Sequence, residues 1–260
     1  MAELTTDQIS SVKQKGFLRN RGTDKFSGRI VPAGCVFSAK DLETIAEISK
    51  TYGNGKIVFT SRLNAEIVDI PYEKIESAIK FAKEHDLLFG GTGAEIRPVT
   101  ACKGTTCIYG NFDTQGLAKE IYDRYYLGWS HVKLPHKFKI GIGGCPNSCM
   151  KPSLNDFGIQ GQRTLNHEFN DPNGQFRIFV GGTFGKKNRI GTPLPRFVER
   201  KEIFPLLEKT ILWFRENAYY KERLGAAIDR IGIEKFEEEL FSEDLLLRKE
   251  EILAADLKVR

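Results

Sequence analysis

The 260-residue chain has no long hydrophobic segment. No apolar run approaches the ~20 residues that a membrane-spanning helix needs. The first residues, Met-Ala-Glu-Leu-Thr-Thr-Asp, lack the basic and then apolar layout of a signal peptide. We therefore expect a protein of the cytoplasm that makes no contact with a membrane.

Nucleotide-binding and nucleic-acid-binding signatures are also missing. The glycine run Gly90–Gly93 is too short for a phosphate-binding loop, and no G-x-G-x-x-G follows a strand, so we expect no flavin or NAD site. The net charge of +5 is mild and no long basic run occurs, which argues against a nucleic-acid partner. A polyanionic cofactor held inside the protein would account for the basic excess equally well.

Cysteine is scarce, yet four of the five cysteines form two close pairs beside glycines. The pairs are C-x4-C and C-x3-C, formed by Cys102, Cys107, Cys145 and Cys149. Zinc sites usually have gaps of two residues, so the wider gaps favour an iron–sulfur cluster over zinc. Four unrelated buried cysteines are the remaining alternative. The odd total does not indicate a disulfide framework, and we interpret Cys35 as a small core residue.

The residues around these pairs resemble the siroheme-containing sulfite and nitrite reductases. The first pair lies in Arg97-Pro-Val-Thr-Ala-Cys102-Lys-Gly104, and the second in Gly144-Cys145-Pro-Asn-Ser-Cys149. The family spaces its first pair by five residues, whereas this chain has four. The resemblance implies a 4Fe–4S cluster on the four cysteines, with Cys149 bridging to siroheme. It also implies that Arg97, Thr100 and Asn147 contact the cofactors.

Basic residues outside the cysteine motifs match the same family. Arg62, in Thr60-Ser-Arg-Leu-Asn64, matches an arginine that faces the substrate side of the siroheme, and Arg29 lies near a second such position. On spacing alone, a solvated turn arginine is the favoured interpretation of Arg62. The run Leu134-Pro-His-Lys-Phe-Lys139 resembles Leu-Pro-Arg-Lys-Phe-Lys, whose lysines approach the substrate.

Lys137 and Lys139 are two residues apart and would share one face of a strand. An exposed edge-strand lysine pair is the alternative. The glycine-flanked loop 185–191 resembles one that helps to hold siroheme, so Lys186, Lys187 and Arg189 are candidates to pair with its carboxylates. A solvated basic hairpin loop explains the same pattern.

Periodicity predicts an α+β fold. Residues 26–99 read β-α-β-β-α, with a helix starting at an N-cap Ser38 and a further strand near Ile96, which indicates a ferredoxin-like (split βαβ) half. Residues 100–240 would form an α+β half that holds siroheme and the cluster. We predict an arm over residues 1–25 and a C-terminal helix over 241–260.

The resemblance implies six-electron reduction of sulfite to sulfide, with nitrite reduction to ammonia as the alternative. A non-catalytic iron–sulfur electron-transfer subunit and a zinc-stabilised binding module are the competing classes. Electrons would come from an external donor, a ferredoxin being the expected kind. In longer family members two copies of this unit surround one siroheme, one holding the cluster and the other supplying the lysines. In a single-copy chain, either one chain suffices or two chains pair so that each completes the other, and of these we expect the homodimer.

Overall fold

The computed structural model describes residues 4–162, 168–171 and 174–260. The chain divides into two compact units, Met1–Gly93 and Ala94–Arg260. The sequence predicts this boundary after residue 99.

Within the described part of the first unit, three helices accompany a four-stranded antiparallel sheet of order β1-β2-β4-β3. The elements are α1 (Thr6–Gln14), β1 (Phe17–Arg19), β2 (Lys25–Ile30), α2 (Ala39–Tyr52), β3 (Ile57–Phe59), β4 (Ala65–Pro71) and α3 (Ile75–Glu84). The ferredoxin-like half is confirmed.

The sheet takes its fourth strand from the beginning of the chain. The strand predicted near Ile96 is wrong, because Ile96 forms only an isolated parallel bridge to Phe138 in the second unit. The fourth strand of the first sheet is instead β1, which pairs with β2. Residues 6–19 thus form a helix and a strand rather than a separate arm, and Val12 and Phe17 are buried in the core of this unit.

Local chemistry sets the limits of α2. Ser38 accepts a hydrogen bond from the Asp41 amide at 3.1 Å, while the Ser38 amide donates to the Asp41 carboxylate at 2.7 Å. This reciprocal capping box satisfies two amide groups that have no partner within the helix. Gly53 ends the helix, and Ile45 and Ile48 face the core, as their spacing predicts.

The second unit is built on a mixed sheet of order β10-β8-β7-β6-β5, with β9 paired to β8. β5, β6 and β7 are parallel, and the other pairs are antiparallel. The strands are β5 (Thr100–Ala101), β6 (Ile140–Gly143), β7 (Phe157–Gly161), β8 (Gln175–Val180), β9 (Thr192–Pro193) and β10 (Val198–Glu199). The described helices are α4 (Thr114–Ile121), α5 (Ile203–Asn217), α6 (Leu224–Ile231), α7 (Ile233–Phe241), α8 (Asp244–Leu247) and α9 (Lys249–Ala254).

The C-terminal helices gather around α5, which packs against α7, α8 and α9. Trp213 is fully buried and donates a hydrogen bond to the Glu239 carboxylate of α7 at 2.6 Å. Arg215 donates to the main-chain carbonyls of Leu253 and Ala255 at the end of α9. Residues 241–254 therefore pack as part of the second unit. None of the helices in the described ranges combines the length and apolarity needed to cross a bilayer.

Candidate active site

The four clustered cysteines lie on two loops that leave the same edge of the second sheet. β5 and β6 are parallel neighbours in which Ala101 pairs with Ile142. Cys102 directly follows β5, and Cys145 comes two residues after the end of β6. Because the carboxyl ends of parallel neighbours meet at one edge, the topology brings both cysteine pairs to that edge.

Hydrogen bonds join the two loops at this edge. The Gly144 amide donates to Sγ of Cys102 at 3.2 Å, and the Cys102 amide donates to the Ile142 carbonyl at 3.1 Å. The Asn111 amide donates to the Gly144 carbonyl at 3.0 Å. The hydroxyl of Thr114, on α4, donates to the Cys102 carbonyl at 2.7 Å. The first loop is thereby fixed against both β6 and α4.

Glycines allow the loops to approach this closely. A Cβ on Gly144 would lie 3.1 Å from Cα of Gly104, and a Cβ on Gly104 would lie 2.6 Å from a methyl carbon of Thr114. A Cβ on Gly110 would lie only 1.9 Å from the Gly104 carbonyl oxygen. Side chains at these positions would push the cysteine loops apart.

The second loop is a tight turn with two non-glycine residues in the left-handed region. Ser148 has φ 53° and Lys151 has φ 49°. The Ser148 amide donates to the Cys145 carbonyl at 3.2 Å, and Gln160 of β7 donates to the Ser148 hydroxyl at 2.5 Å. Strained backbone of this kind persists where the surrounding structure holds it, and it is common at functional sites.

Exposure differs among the four thiols. Cys145 is buried, Cys102 and Cys107 are half-buried and Cys149 is exposed. Asn147 is also exposed on the turn, whereas the hydroxyl of Thr100 donates to the Ile140 carbonyl inside the sheet at 3.3 Å. Cys149, which the resemblance implies as the bridge, is thus the most accessible of the four.

A cavity of about 950 Å³ opens at the other end of β6 and is rich in cationic side chains. Its volume is in the range of cofactor-binding pockets. Lys137 precedes β6 and lies on the wall of this cavity, together with the predicted loop residues Lys186, Lys187 and Arg189. The other histidine and charged residues on its wall are His136, Lys221, Glu222, Arg223, Asp229 and Arg260.

The loop residues differ in how they are held. Lys186 and Lys187 are exposed. Arg189 is anchored: its guanidinium donates to both carboxylate oxygens of Asp229, with Nη2 to Oδ1 at 2.8 Å, and to the Val180 and Gly181 carbonyls. Its charge is therefore partly neutralised, while the two lysines face the cavity more openly.

The segment 137–139 precedes β6 and is not itself a strand, with an isolated bridge from Phe138 to Ile96. Phe138 is fully buried and both flanking lysines are half-buried, so the lysines alternate with a core residue. The Phe138 carbonyl accepts a hydrogen bond from the Arg97 amide at 2.7 Å. The Lys139 amide donates to Oδ2 of Asp156 at 2.8 Å.

A buried ion pair lies behind the cavity wall. Asp156, next to the start of β7, has a fully buried side chain whose Oδ2 accepts from Nη2 of Arg223 at 2.6 Å. Arg223 is the N-cap residue of α6 and lies on the cavity wall. Burial raises the pKa of Asp156, against the opposing charge of Arg223. The sequence reasoning missed this pair, because its partners are 67 residues apart.

The electrostatics of the cavity favour neutral bases and anionic ligands. Burial, followed by the charges of Arg223, Lys137 and Arg97, lowers the pKa of His136 to about 4. Burial and the charges of Arg223 and Arg97 also lower the pKa of Lys137, while Asp156 opposes them. The Lys137 amide donates to Nδ1 of His136 at 2.8 Å, so a neutral His136 carries its proton on Nε2.

Arg29 and Arg62 belong to the first unit. Arg29 extends from β2 to Glu66 of β4, with Nε to Oε1 at 2.8 Å and Nη2 to the same oxygen at 2.5 Å, and Nη1 donates to the Gly91 carbonyl. Arg62 is half-buried in the turn between β3 and β4, where its amide donates to the Thr60 hydroxyl at 3.2 Å. These contacts give Arg29 a structural function within its own unit.

Two family profiles match the chain. The nitrite and sulphite reductase 4Fe-4S domain matches residues 92–248, and the nitrite/sulfite reductase ferredoxin-like half domain matches residues 19–85. The chain belongs to the nitrite and sulfite reductase family. Members of this family bind a 4Fe–4S cluster and siroheme, and these are the cofactors of this chain.

Relatives in the family carry names of both activities. The chain is 28% identical to the assimilatory-type sulfite reductase of Nitratidesulfovibrio vulgaris over 86% of its own length and 96% of that protein. It is 27% identical to the coenzyme F420-dependent sulfite reductase of Methanocaldococcus jannaschii, over 85% of this chain but only 43% of that protein. A nitrite reductase of Bacillus subtilis that uses NAD(P)H is 25% identical, with 77% of this chain and 23% of that protein covered.

The fold of the reductase family is also found in solved structures. The Mycobacterium tuberculosis NirA protein matches with a TM-score of 0.79 and 20% identity, covering 94% of this chain and 48% of that one. Dissimilatory sulfite reductase I matches with a TM-score of 0.73 and 18% identity, covering 83% of this chain and 68% of that one. The chain spans less than half of several longer relatives that it matches.

The residues at the cysteine edge fit the cluster. The four thiols lie on two hydrogen-bonded loops at one edge of the sheet, and glycines at positions 104, 110 and 144 let these loops approach closely. In the described residues, no three His, Cys, Asp or Glu side chains are placed to hold a single metal ion. Thiolates that each bind a different iron of a cubane do not have to converge on one point.

The cavity fits a polyanionic ligand of the size of siroheme. Lys137, Lys186, Lys187 and Arg223 supply positive charge around a space of about 950 Å³. Arginine and lysine are the residues that proteins use to bind carboxylates. The donor chemistry of this wall therefore suits the carboxylate groups of siroheme.

Proposed function

We propose that this chain catalyses the siroheme-dependent six-electron reduction of sulfite to sulfide. The observation that carries the proposal is the arrangement of one sheet, with four thiols at one edge and a cationic cavity at the opposite edge. The family's cofactors, when bound, supply one-electron transfer and an iron at which an oxyanion is reduced. A protein that only carried electrons would have no use for the cationic cavity.

The protein's own groups bind the substrate and hold protons near it. Lys137, Lys139 and Arg62 are the proposed substrate contacts, because sulfite and nitrite are anions and each N–O or S–O cleavage needs protons. Lys137 is suited to give up a proton, since burial and neighbouring cations lower its pKa. We propose Arg97, Lys186, Lys187 and Arg189 as contacts of the siroheme carboxylates, with Thr100 and Asn147 near the cluster.

Arg29 fits this scheme poorly. Its guanidinium binds the Glu66 carboxylate and a main-chain carbonyl in the first unit. We therefore propose that Arg29 stabilises the first unit and that the other basic residues bind the substrate.

Nitrite reduction to ammonia is the alternative reaction of the same site. Relatives with both names match at similar identity. The paired lysines favour sulfite, because plant-type nitrite reductases tend to have asparagine at the second position. Turnover of sulfite and of nitrite with the same reduced dye would decide between them.

We further propose that two copies of the chain pair so that each completes the active site of the other. Lys139 directly precedes β6 and Cys145 follows it by two residues, so β6 separates the two groups. Four strand residues span about 13 Å at ~3.3 Å per residue. The lysines and the cluster of one chain thus lie at opposite edges of its sheet.

Electrons would come from a separate donor of the ferredoxin kind, because no flavin or NAD motif occurs in this sequence. We place the reaction in the cytoplasm, where free thiols and an iron–sulfur cluster suit the reducing conditions. A binding assay between the purified chain and a reduced ferredoxin, followed by sulfite-dependent oxidation of that ferredoxin, tests the donor.

The first experiment on function is an absorption spectrum of anaerobically purified protein, with iron, sulfide and siroheme measured on the same sample. Siroheme with about five irons per chain would support the reductase. Cluster iron without siroheme in a sample supplied with siroheme would favour the electron-transfer subunit. Zinc in a colourless protein would overturn both.

The two-chain site is tested by mixing variants that are inactive alone. Cys149→Ser removes a cluster ligand, and Lys137→Met removes a cavity cation. If sites are shared, a mixed dimer contains one intact cluster facing one intact lysine, so activity returns. If each chain has a complete site, the mixture stays inactive. Two different lysine variants, Lys137→Met and Lys139→Met, form the control mixture, which should stay inactive in both cases.

A further inference from the structure

A single oxygen atom holds two parts of the cationic cavity together. Oδ2 of Asp156 accepts from Nη2 of Arg223 at 2.6 Å and from the Lys139 amide at 2.8 Å. The first contact fixes the N-cap of α6, and the second fixes the segment that carries both candidate substrate lysines. The carboxylate itself lies outside the cavity lining.

The surroundings of Asp156 hold it firmly. Its side chain has no exposed surface, and the side chain of Arg223 is 15% exposed. The Asp156 carbonyl accepts from the Gly181 amide at 2.8 Å, which joins the start of β7 to the end of β8. Gly181 in turn lies against α6, because a Cβ on Gly225 would be 2.2 Å from its carbonyl oxygen. The strand ends and the helix therefore leave Asp156 little room to move.

Two buried polar atoms of the pair, Oδ1 of Asp156 and Nε of Arg223, have no hydrogen-bond partner among the residues that the structure describes. Leaving a charged group partly unsatisfied costs free energy, so a buried pair of this kind is weak as a stabilising device. The pair is therefore better explained by its positioning of Arg223 and the 137–139 segment than by a contribution to the stability of the fold.

We propose that Asp156 is a positioning residue of the active site, which directs Arg223 and the 137–139 segment so that their cations face an anionic substrate together. The predicted effect on KM rests on the proposed reductase function. The predicted effect on the pKa of Lys137 does not, and it can be measured in protein without cofactors. Neither residue belongs to the motifs that carry the family resemblance described above.

The geometry predicts opposite electrostatic effects of the two partners on Lys137. Asp156 raises the pKa of Lys137, whereas Arg223 and Arg97 lower it, and His136 is its neutral neighbour on the wall. Asp156→Asn keeps an oxygen acceptor and removes the charge, so the pKa of Lys137 should fall. Arg223→Gln removes the cation, so that pKa should rise.

The test is an NMR titration of Lys137 in cofactor-free protein, with Lys137 identified by its loss in Lys137→Met. Opposite shifts in Asp156→Asn and Arg223→Gln support the proposal. Equal titrations in wild type and both variants overturn it, whether or not the protein reduces sulfite. Glu216→Gln is the matched control. It removes a carboxylate whose Oε1 lies 2.6 Å from Nη1 of Arg248, and it leaves the cavity residues intact.

Kinetics provide the second readout. Asp156→Ala should raise KM for the anionic substrate at least about tenfold, the effect of losing one charge-assisted hydrogen bond, and Asp156→Glu should restore part of it. Arg223→Lys should retain more of the affinity than Arg223→Gln. Unchanged KM in Asp156→Ala, with kcat lost in proportion to folded protein, would show a purely structural residue and overturn the proposal. Absence of turnover in wild type would instead refute the proposed function and leave the titration result standing.

Discussion

The Gly144 amide donates a hydrogen bond to Sγ of Cys102 at 3.2 Å. This contact joins the loop after β6 to the loop after β5. Hydrogen bonds to cluster sulfurs are one way in which proteins adjust the potential of an iron–sulfur centre. The contact therefore holds the two cysteine loops together, and it is a candidate to adjust the reduction potential of the cluster.

Single replacement of a clustered cysteine should abolish the 4Fe–4S cluster. We expect Cys102→Ser, Cys107→Ser, Cys145→Ser and Cys149→Ser each to lose cluster iron and sulfide, because a thiolate is the ligand. Cys35→Ser is the matched control, since Cys35 belongs to the first unit and to neither cysteine motif. Iron and sulfide analysis after anaerobic reconstitution is the measurement. A Cys107→Ser protein with full iron and sulfide would contradict the assigned ligand set.

Gly110→Ala should prevent closure of the first cysteine loop. The added methyl group would lie 1.9 Å from the Gly104 carbonyl oxygen and 3.1 Å from that of Cys107. We expect much less cluster after reconstitution, measured by absorbance and iron content. Gly55→Ala is the control: among the described residues its methyl group would meet no atom within 4 Å, and its positive φ should cost only ~1–2 kcal/mol of stability. Equal cluster content in the two variants would show that the loop can relax.

The two lysines of the 137–139 segment should matter for turnover and not for cluster content. Lys137→Met and Lys139→Met should each lower turnover by roughly 100-fold, which corresponds to the ~2.7–4 kcal/mol of transition-state stabilisation lost with one electrostatic donor. Steady-state assays with sulfite and with nitrite provide the measurement, at equal siroheme and iron content. Lys80→Met, which removes an exposed lysine of α3, is the control. Near-normal turnover of Lys137→Met or Lys139→Met would contradict the function of that lysine at the substrate.

The fold was predictable where local chemistry decides it and unpredictable where distant segments meet. The capping box of Ser38 and Asp41 and the strand pattern of residues 157–161 depend on neighbours in the sequence. β1 has only three residues in a polar stretch, and its pairing with β2 is a tertiary contact. The strand wrongly predicted near Ile96 has the same cause. Whether Ile96 pairs with the first sheet or with Phe138 is decided by a tertiary contact.

The candidate site shows the same division. The cysteine motifs are short and local, so their spacing already indicated a cluster. The function of Asp156 depends on Arg223, which follows 67 residues later, and no local pattern relates them. One signal was available in the sequence: an aspartate directly before a strand whose residues are all buried. Charged residues at such positions are rare unless they are paired.

His136 should make the protein less stable in acid. Its pKa is about 4 in the folded protein and about 6.5 when unfolded, because burial and nearby cations disfavour the charged form. The unfolded chain therefore binds a proton more readily, so stability is fully present above about pH 6.5 and is lost as the pH falls towards about 4. His136→Gln should flatten this part of a Tm-against-pH curve. His131→Gln, at an exposed histidine, is the control, and parallel curves for wild type and His136→Gln would contradict the assignment.

Arg29 should act on stability before it acts on catalysis. Its guanidinium and the Glu66 carboxylate are mostly buried, with 15% and 18% of their side chains exposed, and Nη1 also donates to the Gly91 carbonyl. Removing one member of such a pair leaves the other short of partners, so Arg29→Met should lower the free energy of unfolding by about 2 kcal/mol. Urea unfolding of cofactor-free protein measures this change.

Arg19→Met is the control, because the Arg19–Asp24 pair is exposed and its loss should cost less than ~1 kcal/mol. Glu66→Gln should reproduce the Arg29→Met loss, and the double variant should lose less than the sum, since the two residues share one interaction. If Arg29→Met unfolds like wild type and yet abolishes turnover, Arg29 contacts the substrate, and the supporting function assigned from its bonds to Glu66 is wrong.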